Sequence, residues 1–205
     1  SITVNNIIPI VTPPDDTLIV LGESFTSSVS FIDPGVEGIW NVEIDYGDGT
    51  ITQFDVTGKT FDIPAHVYAT VGPNSGAFEV SIIVSDGEDS IPVSTDAHVV
   101  YGTDGVSDFN FKPLDSRYEQ NDKVAIKFQV FDVNGNQVHT QTFPTITVDY
   151  GSGPVDGDCK DNGPIAFLHN DHYHCDLILS TIPPGDVTIA IHLDDAIEPS
   201  TIPVD

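Results

Sequence analysis

The chain has 205 residues, a mass of 22.0 kDa, and 32 Asp and Glu against 6 Lys and Arg, a formal charge of −26. That length allows one large domain or two of about 100 residues. The charge excludes nucleic acid as a partner, because phosphate contacts need clustered Lys and Arg, and it disfavours anionic membrane surfaces. Val, Ile and Thr number 23, 22 and 18, whereas Leu and Ala number 7 and 8. β-Branched residues suit strands and are stiff in helices, so the expected fold class is all-β: two tandem antiparallel β-sandwiches of the immunoglobulin (Ig) kind. No apolar run approaches the 18 residues or so that a membrane span needs.

Ser1 opens inside what reads as a first strand, so the expectation is a mature segment or a piece of something longer. Strands are predicted over 4–11, 24–32, 39–46, 78–85 and 91–101. Period-two alternation sets Trp40, Val42, Ile44 and Tyr46 against Asn41, Glu43 and Asp45, and Phe78, Val80, Ile82 and Val84 against Glu79, Ser81 and Ser85. One buried and one wet face is the signature of an antiparallel sandwich. Turns fall at Asp33-Pro34-Gly35, Gly47-Asp48-Gly49 and Asp86-Gly87. Asp48 reads as a turn former, and His66 and Tyr68 as a pair that fixes a loop. With alternating strand directions, Asn5, Asn6, Asp33, Asp86, Glu88 and Asp89 collect at one end. Carboxylates and amide oxygens converging in this way are the donor set of a hard cation such as calcium.

Phe31-Ile-Asp-Pro-Gly35, Trp40 to Thr50, His66-Val-Tyr68 and Gly76 to Gly87 together resemble the polycystic kidney disease (PKD) domain family over residues 3–101. Its markers are a hairpin of the W-x-F-G-D-G-T kind, an H-x-Y, and a strand ending V-x-D-G. The resemblance implies an extracellular β-sandwich with no catalytic residues, used as a spacer, adhesion or substrate-proximal module. It also implies calcium at the end just described, with Asn6 and Asp33 in the family's ligand positions.

The domain boundary is expected at Tyr101-Gly-Thr-Asp-Gly105, giving domains 1–102 and 103–205. Further strands are predicted at Ser107–Lys112, at Val124, Ile126, Phe128 and Val130, at His172–Leu179, and at Val187, Ile189, Ile191 and Leu193. Asp132-Val-Asn-Gly-Asn136 reads as a hairpin turn, since it lacks the spacing and final Glu of an EF-hand. Ile44-Asp-Tyr-Gly-Asp-Gly49 is echoed by Val148-Asp-Tyr-Gly-Ser-Gly153, a sign of related folds in the two halves. Residues 105–204 are similar to the PxKF-type module of microbial surface proteins, through Phe111-Lys-Pro113 and Val124-Ala-Ile-Lys-Phe128. That likeness implies a structural repeat near a cell surface.

His169, His172 and His174 are a candidate transition-metal set, because His at i and i+2 share a strand face. A polar, solvated face is the plainer reading. Asp156, Asp158 and Asp161 lie in a Gly-rich stretch that reads either as a calcium-binding loop or as a mobile acidic loop. Cys159 and Cys175 are 16 positions apart, and their expected disulfide closes a loop worth about 3 kcal/mol and implies an oxidising compartment. Without a recognisable catalytic constellation, the expected function is non-catalytic. The chain reads as a structural or adhesive module of an extracellular S-layer, envelope or adhesin protein, with calcium as its cofactor. Its expected partners are other domains of the same protein, neighbouring copies, or cell-wall or extracellular polysaccharide. The alternative is an accessory module of a secreted hydrolase, which would favour an exposed aromatic platform; Trp40 falls in an inward set.

Overall fold

The computed structural model describes residues 7–35, 38–73, 77–87, 90–101, 123–128, 130–142, 144–149, 154–157, 173–178, 187–195 and 200–204. The fold is all-β, in two compact units, Ser1–Val100 and Tyr101–Asp205.

The first unit holds β1 (Ile10–Thr12), β2 (Thr17–Val20), β3 (Ser24–Phe25), β4 (Ser28–Ile32), β5 (Trp40–Asp45), β6 (Ile51–Val56), β7 (Thr60–Asp62), β8 (His66–Val67), β9 (Ala77–Ser85) and β10 (Val93–Val100). One sheet has the order β1-β4-β7 and the other β2-β10-β9-β5-β6, with β3 and β8 as a small pair. All ladders are antiparallel except β2 with β10, which run parallel from Thr17↔Ala97 to Val20↔Val100. The predicted alternation holds residue for residue on β5 and β9. Trp40, Val42 and Ile44 are buried, as are Phe78, Val80, Ile82 and Val84. With Val29, Phe31, Ala97 and Val99 they form the core. Each buried Val, Ile or Phe contributes about 1.5–3 kcal/mol.

Two predicted strands differ in extent. The stretch expected over 24–32 is interrupted, because Phe25 pairs with His66 of β8 whereas Ser28–Ser30 pair with Thr60–Asp62 of β7. The described part of the first strand is Ile10–Thr12, opposite Ser30–Ile32.

In the second unit β11 (Lys123–Phe128) pairs with β16 (Tyr173–Ile178), and β12 (Val130–Phe131) with β13 (Gln137–Val138). A four-stranded sheet follows the order β15-β14-β17-β18, where β14 is Thr145–Asp149, β15 Pro154–Gly157, β17 Val187–His192 and β18 Ser200–Val204. Val130, Ile146, Tyr173 and Ile191 are buried. The predicted strand at Ser107–Lys112 lies outside the described residues.

Candidate functional site

Three groups of polar side chains stand out. The first lies where β4 gives way to β5. Asp33 and Trp40 are only 3% exposed, and the Trp40 indole Nε1 donates to Asp33 Oδ2 at 2.6 Å. The Gly35 amide donates to Oδ1 at 2.7 Å, and Lys59 Nζ donates to the Asp33 carbonyl while lying 5.4 Å from the centre of the Trp40 ring. Burial disfavours the charge on Asp33, yet the bonds from Trp40 and Gly35 and the Lys59 ammonium outweigh it and hold the carboxyl below its usual range. Both carboxylate oxygens are therefore engaged in fixing the bend. The expected calcium set has Asp33 as a member, and β9 ends opposite Asn41, which brings Asp86 to the same end of the sheet. Asn6 lies outside the described residues.

The second group surrounds the Gly47-Asp48-Gly49 hairpin. Asp48 Oδ1 accepts the Thr50 amide at 2.9 Å, the turn-forming bond expected of it. Its other oxygen lies 2.8 Å from His66 Nε2. Burial opposes the Asp48 charge, but the Thr50 and His66 contacts keep its pKa low. The His66 ring stacks on Tyr46 at 4.2 Å between centroids and meets the edge of Tyr68 at 4.7 Å. Tyr68 stacks on Phe78 at 4.3 Å, and its hydroxyl donates to the Tyr46 carbonyl at 3.1 Å. Tyr46 in turn donates to the Pro64 carbonyl at 2.8 Å. Burial pushes the Tyr68 hydroxyl far up, with the Asp48 carboxylate adding to the shift, so it stays a neutral donor. The pairing of His66 and Tyr68 was legible from the sequence; that His66 meets a side chain rather than backbone was not.

Asp16, Asp96 and His98 form the third group, on the outward face of β10 and the approach to β2. Sequence reading passed over it, because some 80 residues separate Asp16 from the other two and no short motif spans such a gap.

In the second unit Asp132 accepts from the amides of Asn134 and Asn136 and from Asn136 Nδ2, closing the predicted hairpin turn between β12 and β13. Tyr173 Oη accepts the Thr140 amide at 2.7 Å. Asp194 accepts the Thr142 amide at 2.6 Å and Asp195 the Tyr101 amide at 3.0 Å. Burial, reinforced by Asp194, raises the Tyr101 hydroxyl far above its ordinary range. His169, His172 and Cys159 lie outside the described residues. His174 and Cys175 have described backbone positions on β16, opposite Lys127 and Ile126.

No protein-family model matches the sequence, and no curated protein matches it. Solved structures with a similar course include the titin Ig tandem A164–A165, at 11% identity and a TM-score of 0.39, covering 98% of this chain and 97% of that one. Fibronectin(III)-like modules of Clostridium thermocellum CbhA match at 17% identity and a TM-score of 0.32, covering 95% and 92%. An E-to-A variant of titin I67–I69 matches at 10% identity and a TM-score of 0.40, covering 95% of this chain and 63% of that one. The assignment to the Ig-like β-sandwich class rests on the sheets themselves.

Proposed function

We propose that the chain is a non-catalytic structural module, a pair of Ig-like sandwiches of the PKD and PxKF-type kind serving as a load-bearing spacer in an extracellular surface protein. The parallel ladder between β2 and β10 carries this reading. β2 is entered from one end of the first unit and β10 is left at the other, so tension along the chain pulls the two strands in opposite directions. The bonds from Thr17↔Ala97 to Val20↔Val100 are then loaded together in shear, and the Leu21 amide adds another to the Val100 carbonyl at 2.8 Å. Asp33, Asp48 and Asp132 support the reading, since their carboxylates are used to fix turns. The chain's acidity, its candidate calcium set at Asn6, Asp33 and Asp86, and the Cys159–Cys175 pair suit an extracellular setting. The partners proposed are neighbouring domains or copies of the same surface protein. The hydrolase-accessory alternative receives no support from surface aromatics, because the large exposed hydrophobics among the described residues are Ile, Leu and Val, and Trp40 is buried.

Single-molecule stretching of the full chain tests the proposal, with and without millimolar calcium. A distinct force peak for the first unit is expected, lost when Val100→Pro removes an amide from the ladder, and higher with calcium than with EDTA. Featureless extension of the intact chain would refute the load-bearing role, and identical traces with calcium and EDTA would remove calcium from it.

A further inference from the structure

Asp96 and His98 alternate with Thr95, Ala97 and Val99, which are buried, so both point out of the same face of β10. Thr17 lies opposite Ala97 in the parallel ladder, which sets Asp16 beside Asp96. Asp16 is locked in place: its Oδ1 accepts the Asp96 amide at 2.9 Å and the Thr95 hydroxyl at 3.3 Å. One ligand atom from each of Asp16, Asp96 and His98 lies within 4.8 Å of the other two. Donors bound to one zinc-like ion at about 2.0–2.1 Å can be up to about 4.2 Å apart, so a small side-chain adjustment closes the set. Among the described residues no Lys or Arg forms an ion pair with any of the three, so two adjacent carboxylates stand without a countercharge. An acidic pair alone would suit any hard cation. The imidazole nitrogen changes the chemistry, since one nitrogen and two oxygens favour a borderline divalent ion over calcium.

We infer that Asp16, Asp96 and His98 form a binding site for a zinc-like divalent transition-metal ion, one that ties β2 to β10 at the edge of the five-stranded sheet. Three protein ligands leave room for water to complete the coordination. The ion would join a strand near the start of the unit to the strand near its end, bracing the ladder that bears the shear. The site does not depend on that mechanical role, because binding is measured separately from force.

The test uses the full chain, with Zn2+ alone as the probe and Ca2+ titrated in parallel. Zn2+ is expected to shift the backbone amide resonances around Asp16, Asp96 and His98. It should also raise Tm by about 10 °C at a hundredfold excess over Kd. His98→Gln and, separately, Asp16→Asn should each weaken this response at least tenfold while leaving the metal-free Tm within a few degrees of the wild type. Any zinc held at His169, His172 and His174 would survive both substitutions and is thereby distinguished. Resonance shifts confined to other residues, or equal zinc affinity in wild type and both variants, would overturn the inference. A calcium response at these residues as strong as the zinc response would overturn the assignment to a transition metal.

Discussion

The two units build the same four-stranded sheet by different means at its edge. In the first the order is β10-β9-β5-β6, and in the second β18-β17-β14-β15, with every pairing antiparallel. β5 and β14 hold the same place, each opening a hairpin on one side and pairing with a later strand on the other. β5 ends on Ile44-Asp45 and β14 on Val148-Asp149, the first two residues of each repeated segment. The echo therefore marks topological equivalence. Beyond this shared sheet the units part: β10 gains a parallel neighbour in β2, whereas β18 ends the sheet among the described residues. β18 contains Pro203, opposite Thr188, and proline has no amide for a second ladder, which confines it to edges. β10 has no proline and is flanked on both sides. Among the described residues, then, both units share an antiparallel four-stranded sheet, and the first alone adds a parallel strand to it.

The largest effect is expected at the first unit's aromatic cluster. Tyr68 is almost fully buried against Phe25, His66 and Phe78. Tyr68→Ala should cost about 3–5 kcal/mol, read by chemical denaturation and by loss of amide protection in β5 and β9. A cost under about 1 kcal/mol would mean that the cluster is not what holds the hairpin to the core.

Glycine sharpens the contrast at matched geometry. Gly47 in the first unit and Gly135 in the second both have φ of +77°. A Cβ on Gly47 would lie 2.6 Å from the Glu79 carbonyl oxygen, whereas one on Gly135 would meet nothing within 4 Å. Gly135→Ala should cost only the left-handed penalty of about 1–2 kcal/mol. Gly47→Ala should cost clearly more, because β5 or β9 must move. Equal losses in equilibrium unfolding would show that the turn, not its packing, sets both values.

The smallest effect expected is on acid stability. The pKa of Asp33 is lowered on folding, so its contribution is present above the unfolded value of about 3.9 and is lost as pH falls through the folded value. Asp48 follows the same sign. Asp132 is also lowered, chiefly by its bond from Asn136, but it is a half-buried turn residue, whereas Asp33 is buried. Asp33→Asn should therefore flatten the stability of the first unit between about pH 4 and pH 2 more than Asp132→Asn flattens that of the second. Equal slopes, followed by resonances of each unit, would contradict this ranking.

Much of the first unit was legible in the amino-acid order because its information is local. Alternation at period two needs no partner to be read, and it placed the inward faces of β5 and β9 correctly. Asp48 and Asp132 bond to amides two to four residues away, so their turns could be read from short segments. β2 is only four residues long and follows Pro13-Pro14-Asp15-Asp16, and β6 alternates between exposed and half-buried positions; neither gives a strong hydrophobic signal. The choice of β10 as the parallel partner of β2, the burial of Asp33 under the Trp40 indole, and the meeting of Asp16 with Asp96 and His98 were decided by tertiary structure. Each joins groups whose proximity depends on how the whole sheet closes, a long-range condition that no local run of residues encodes.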